Sequence, residues 1–199
     1  MTGPRPPRGV EPLDRHRIKA LFAMLDERLR SRGVAAALYV VGGAAVAVTI
    51  ADRRVTHDVD VAGLDPVVAE EARAIAAAEN LPPDWLNAAA TPWIPAPSSV
   101  TSNLAAGLSI RYAPPEHLLA MKMVALRQQD APDIAALADH LGLIRASPDR
   151  FAAMLRLAYP GEGQLQQVLG VPEEQVDQEV EAIARRVVAF TSRTDSAAD

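Results

Sequence analysis

Apolar residues recur every three or four positions early in the chain and then change rhythm. Over residues 13–32, Ile18, Leu21, Phe22, Leu25 and Leu29 fall on one face of a 3.6-residue repeat, which predicts an amphipathic helix. Gly33 follows the last turn, where a left-handed cap is expected. Ala37–Val41 is a short, almost wholly apolar run, the pattern of a strand buried on both faces. Gly42-Gly43 breaks it, Ala44–Ile50 suits a short helix, and Ala51–Thr56 reads as a polar loop with Asp52, Arg53 and Arg54. Asp58–Ala62 alternates polar and apolar residues with period two and reads as a second strand.

Asp65-Pro66 supplies an N-cap and a first-turn proline for a helix running to about Glu79, stopped by Leu81–Pro83. Asp84–Ala90 suits a further helical turn, residues 91–99 a proline-rich loop, and Leu104–Tyr112 one or two strand-like pieces. Helical periodicity then dominates: Glu116–Arg127, Asp133–Leu141 closed by Gly142, Pro148–Ala158 and Pro172–Phe190. Strands and helices mix up to residue 115 and only helices follow. The pattern predicts an α/β (α+β) core over residues 1–115, a helical C-terminal region over 116–190 packed on it, and a frayed tail at 191–199.

Composition narrows the chemistry. A chain of 199 residues is long enough to bury a real core, and it contains no cysteine, which excludes disulfide scaffolds, Cys-based zinc sites and thiol nucleophiles. No apolar run approaches the ~18 residues of a membrane span, and residues 1–12 carry no hydrophobic stretch suited to a signal peptide, so a soluble cytoplasmic protein is the expectation. The net charge of -5 announces no general attraction to nucleic acid. Lys19 and Lys122 are the only lysines among twenty cations, and Lys122 interrupts the apolar run LLAMKMVAL.

The stretch from Tyr39 to Gly63, YVVGGAAVAVTIADRRVTHDVDVAG, combines a buried strand, a Gly-Gly turn opening a helix, a loop, and a strand bearing Asp58 and Asp60. Without side chains, Gly42 and Gly43 let backbone N–H groups approach a ligand closely, and at a helix N-terminus such groups suit phosphate. Two carboxylates two apart on a strand share a face and make a hard-oxygen site for Mg²⁺. Taken singly, a glycine pair after a strand is most often a turn and Asp-x-Asp a solvated strand face. Lys122 alone reads equally well as a lysine snorkelling from the edge of a buried helix face. Arg53, Arg54 and Arg111 read as solvated surface or as contacts to a polynucleotide backbone.

In this order and spacing the residues carry more. A glycine pair opening a helix, fourteen residues between Gly43 and Asp58, then Asp-x-Asp on the next strand resembles the signature of the nucleotidyltransferase superfamily. Downstream, LPPDWLN, PEHLLAMKMVALR and DAPDI resemble a bacterial subgroup related to the AbiEii toxins and the mycobacterial MenT toxins, a likeness covering roughly residues 35–160. The resemblance implies a nucleotidyltransferase-fold mixed sheet with a helical annex. It implies Mg²⁺-dependent transfer of a nucleoside monophosphate from a triphosphate to an acceptor hydroxyl, with the tRNA 3' end as acceptor and a cognate antitoxin as partner. By motif position, Asp58 and Asp60 would hold the metal, Gly42 and Gly43 the nucleotide, and Lys122 the phosphate oxygens. Asp133 would complete the site, with Asp130 the other candidate. Thr56 matches a place where the toxin family can be phosphorylated.

Two departures stand beside this likeness. Many members carry a third carboxylate on a later strand, whereas Leu108-Ser109-Ile110-Arg111 has none, and the subgroup often has Gly-Ser where this chain has Gly-Gly. Three functions therefore stay open: the tRNA-modifying toxin, nucleotidyl transfer to a small molecule or protein, and a non-catalytic nucleotide-binding or interaction module.

Overall fold

A computed structural model of the chain describes residues 12–51, 54–95 and 105–195. The chain divides into two units, one holding the described residues up to Thr91 together with the strand that ends at Tyr112, the other residues 92–95 and the described residues from Ala113.

The first unit is mixed α/β. Helix α1 (Arg15–Ser31) starts at Asp14, whose carboxylate accepts the Arg17 N–H, and buries Ile18, Leu21, Phe22, Leu25 and Leu29. It is followed by β1 (Ala35–Val41), α2 (Gly42–Thr49), β2 (Val59–Val61), α3 (Pro66–Glu79), β3 (Leu86–Asn87) and β4 (Gly107–Tyr112). The four strands form one sheet in the order β3-β2-β1-β4, with β1 antiparallel to β2 and the outer pairs parallel. Helix α1 packs on α3, α2 and β4. Buried Glu71 of α3 accepts hydrogen bonds from Arg28, in the last turn of α1, and from Arg32, its C-cap residue, and so locks the two helices together. The Asp26 carboxylate accepts the Leu108 N–H at 2.8 Å, pinning α1 to the start of β4.

Register sorts the sheet's two faces, because paired residues in adjacent strands point the same way. Val40 pairs with Val61, Val59 with Leu86, and Leu38 with Ile110, giving a wholly apolar face. The opposite face carries Asn87, Asp60 and Val41 in one row, then Tyr39 beside Arg111 and Ala37 beside Ser109.

The second unit is helical: α4 (Pro115–Ala125), α5 (Ala131–His140), α6 (Pro148–Ala158), α7 (Gln164–Leu169) and α8 (Val176–Asp195). Helix α8 is its spine and packs on α4, α5, α6 and α7. Among the described residues no helix is long and apolar enough to cross a membrane.

Several local expectations change. Residues 84–90 form no helical turn; Leu86 and Asn87 pair with β2 instead. Trp85 decides this, being fully buried, with its indole N–H donating to the Ala72 carbonyl at 2.9 Å and its own carbonyl accepting the Val59 N–H. The second strand begins at Val59, leaving Asp58 just outside it, and 107–112 is a single strand, while Leu104 lies outside the described residues. Residues 191–195 are not a tail: α8 continues through them, and Thr191 extends the buried face of Val180, Ile183, Ala184 and Val187. Residues 196–199 lie outside the described residues.

Candidate functional site

The glycine pair is where strand becomes helix without a connecting loop. Val41 ends β1 and Gly42, at φ +64, turns the chain directly into α2. That φ is costly for any residue with a Cβ. The N-cap position is Val41, whose side chain has no oxygen with which to cap the first N–H groups of α2. At the far end, Arg15 donates to the carbonyls of Ala47 (3.3 Å) and Val48 (2.7 Å). A guanidinium there complements the helix dipole and fixes the helix in place.

The turn faces the carboxylate strand. A Cβ on Gly42 would stand 2.9 Å from Asp60 Oδ2, and one on Gly43 would stand 3.0 Å from Thr56 Oγ1 and 3.7 Å from Arg54 Nη2. Thr56 is buried and its backbone is paired both ways with Leu13, at 2.6 and 2.9 Å. Its hydroxyl points to Asp58 Oδ1 across a long 3.4 Å contact. Gly42, Gly43, Thr56, Asp58 and Asp60 thus form one chain of contacts, with Asp58 exposed and Asp60 half-buried. Arg53 lies outside the described residues.

Asp58 and Asp60 fit Mg²⁺ by chemistry: the ion takes one or two carboxylates and fills its other positions with water and phosphate oxygens. The missing Cβ at Gly42 keeps the Asp60 carboxylate clear of side-chain atoms on that side. Among the described residues no group of three or more His, Asp or Glu side chains is placed to hold a metal. On β4, the positions that share Asp60's face are Ser109 and Arg111, not a third acid.

Tyr39 escapes a sequence reading, being one aromatic residue in an apolar strand. It is 2% exposed, and among the described residues its hydroxyl has no hydrogen-bond partner. Burial pushes the phenol's pKa up, partly opposed by the charge of Arg111, so at neutral pH the hydroxyl is a neutral donor. Its position on the Asp60 face, in register with Arg111, is the only signal, and it needs the strand pairing to be known.

Lys122, Asp130 and Asp133 belong to the second unit. Lys122 Nζ lies 2.6 Å from Asp130 Oδ1 and 2.9 Å from Asp133 Oδ2. The three side chains are 14%, 6% and 2% exposed, so the lysine does not reach for water but turns into a pair of buried carboxylates. Asp130 occupies the N-cap position of α5 yet makes no capping bond, and Asp133 lies in the first turn. The two candidates that the sequence leaves as competitors meet at one ammonium, and the trio's formal charge is negative. Compared with models of protein families, with curated proteins and with solved structures, the chain finds no match.

Proposed function

We propose that the chain is a Mg²⁺-dependent nucleotidyltransferase of the nucleotidyltransferase fold. One observation carries this reading: the glycine turn that opens α2 lies against the carboxylate of Asp60, close enough that no side chain fits between them. Helix N–H groups suited to phosphate and a carboxylate suited to a cation therefore meet at one place. Held by Asp58 and Asp60, the metal would supply positive charge to triphosphate oxygens. The acceptor hydroxyl attacks the α-phosphorus, the bond to the β-phosphate oxygen breaks, pyrophosphate leaves, and the hydroxyl proton passes to a base. Gly42 and Gly43 admit the triphosphate to the N–H groups of α2, and Arg15 holds that helix still.

In this reading Lys122 supports the phosphates and Asp133 the acceptor proton, as the resemblance implies. The acceptor is the tRNA 3' end, the setting cytoplasmic, and the partner an antitoxin that silences the transfer. The test is incubation with each α-labelled nucleoside triphosphate, Mg²⁺ and total RNA. Label in the tRNA band supports the toxin reading, and label on protein or a small molecule moves the acceptor class.

A second reading, a nucleotide-binding module without turnover, is favoured by β4, where Ser109 and Arg111 take the face on which a third carboxylate would complete a metal pair. Mg²⁺-dependent triphosphate binding with no labelled product would select it.

A further inference from the structure

Asp60 has one neighbour in register on each side: Val41 on β1 and Asn87 on β3. Val41 is apolar and fully buried, whereas Asn87, like Asp60, is half-buried and within reach of solvent. The polar flank of Asp60 along this row is therefore the β3 side. Neighbouring strands lie about 4.8 Å apart, and residues in register share a face. An octahedral Mg²⁺ with oxygens at about 2.1 Å holds adjacent ligands about 3 Å apart. Asp and Asn carry their oxygens on stems of equal length, so the two head groups can meet at one ion.

The Asn87 amide is held in one orientation. Its Oδ1 accepts the Ala89 N–H at 2.9 Å, and Nδ2 lies 3.5 Å from the Asp84 carbonyl, at the outer limit of a hydrogen bond. The Ala89 N–H takes one of the two lone pairs of Oδ1 and leaves the other. A backbone bond of this kind sets the angle of a ligand without competing for its second lone pair. The strand beneath it is anchored by the buried Trp85 and Leu86, so Asn87 stands on a fixed backbone. A neutral amide oxygen beside a carboxylate is a donor set that hard divalent cations take.

We infer that Asn87 is the third protein oxygen of the cation site at Asp58 and Asp60, a neutral ligand on the strand beside the carboxylates. The inference rests on the nucleotidyl-transfer reading for the use of the cation, not for its place. A neutral ligand keeps the charge of the set at two carboxylates, so position 87 determines how tightly the site holds its ion before a triphosphate arrives.

The test uses Mn²⁺, which takes the same oxygen ligands as Mg²⁺, on the full chain without nucleotide. Electron paramagnetic resonance reads its affinity, and coupling of the ion to ¹³C-labelled asparagine reads direct ligation. Wild type is expected to show that coupling. Asn87→Ala is expected to remove it and to weaken binding several-fold. Asn87→Asp adds charge to the ligand set and is expected to tighten binding about tenfold. Aspartate accepts a backbone N–H two residues on as asparagine does, so that variant keeps the bond to Ala89. Asp60→Asn is expected to weaken binding strongly. The assignment is overturned by a wild type without the coupling, by unchanged affinity in Asn87→Ala, by no gain in Asn87→Asp, or by binding that survives Asp60→Asn at full strength. Coupling to asparagine in a protein that transfers no nucleotide overturns the transferase reading and leaves Asn87 a cation ligand. Mg²⁺-dependent transfer by a protein whose bound Mn²⁺ shows no such coupling does the reverse.

Discussion

The Asp60 Oδ2 atom stands 2.9 Å from the point a Cβ on Gly42 would occupy. The same glycine sits at φ +64, so backbone shape and side-chain space exclude a larger residue together. Gly42→Ala should therefore cost about 1–3 kcal/mol, the sum of a left-handed alanine and a displaced carboxylate. It should also abolish Mg²⁺-dependent triphosphate binding. Gly43→Ala has no unfavourable φ and meets only the Thr56 hydroxyl at 3.0 Å, so its cost should be smaller. Urea melts of both variants check the order, and a Gly42→Ala protein as stable as wild type would contradict the geometry.

Asp58→Asn and Asp60→Asn should each lower nucleotidyl transfer by at least a hundredfold, as expected when charge stabilisation is lost at a reacting phosphate. Neither carboxylate is buried in the apolar core, so both variants should stay within about 1 kcal/mol of wild-type stability. The comparison is labelled-product yield against urea midpoint. Near-normal transfer by either variant removes the carboxylate pair from the reaction.

The elements that local chemistry determines were legible in the sequence. Asp65 and Pro66 start α3 at the residue their capping roles dictate, and the apolar spacing of Ile18 to Leu29 outlines α1. What failed to show is what depends on distant partners. Residues 84–90 look helical until Trp85 docks under α3 and the short strand pairs with β2. Leu126 closes α4 at φ 41, a conformation leucine rarely adopts, so the helix stops at Ala125, two residues short of the expected Arg127. At the site, the glycine pair and Asp-x-Asp could be read as candidates. Tyr39, the Thr56 contact and the convergence of Asp130 and Asp133 on Lys122 could not, because each is created by tertiary pairing.

Lys122 is held by two buried carboxylates, so removing its ammonium takes a partner from each. Lys122→Met should destabilise the chain by about 3–5 kcal/mol, the cost of breaking a buried ion pair from one side. Asp130→Asn and Asp133→Asn each leave one carboxylate on the ammonium and should cost less. A lower melting temperature in Lys122 variants is expected whether or not the residue acts in catalysis. The informative measurement is transfer per folded molecule, well below the variant's melting point. If that is unchanged in Lys122→Met, the lysine is structural and its assigned role at the phosphates fails.

Acid should unfold the first unit through its paired carboxylates. The Arg32 guanidinium, seconded by Arg28 and opposed by burial, holds the Glu71 carboxyl below its ordinary value. The Leu108 N–H, with Arg30, does the same for Asp26. A carboxyl whose folded pKa is depressed binds fewer protons folded than unfolded, so its stabilisation is complete above the unfolded value, about 4.3 for Glu and 3.9 for Asp. It is lost as pH falls from there through the folded pKa. Wild-type stability should thus be flat with respect to these two groups near neutrality and fall below about pH 4.5. Glu71→Gln should be less stable at pH 7, by about 1–3 kcal/mol for a buried charge-assisted pair, and should approach wild type at pH 3. Asp26→Asn should behave likewise with a smaller amplitude, since its partners are more exposed. Urea midpoints measured from pH 7 to 3 decide it: parallel curves for wild type and Glu71→Gln would show that the α1–α3 ion pairs contribute nothing to folding.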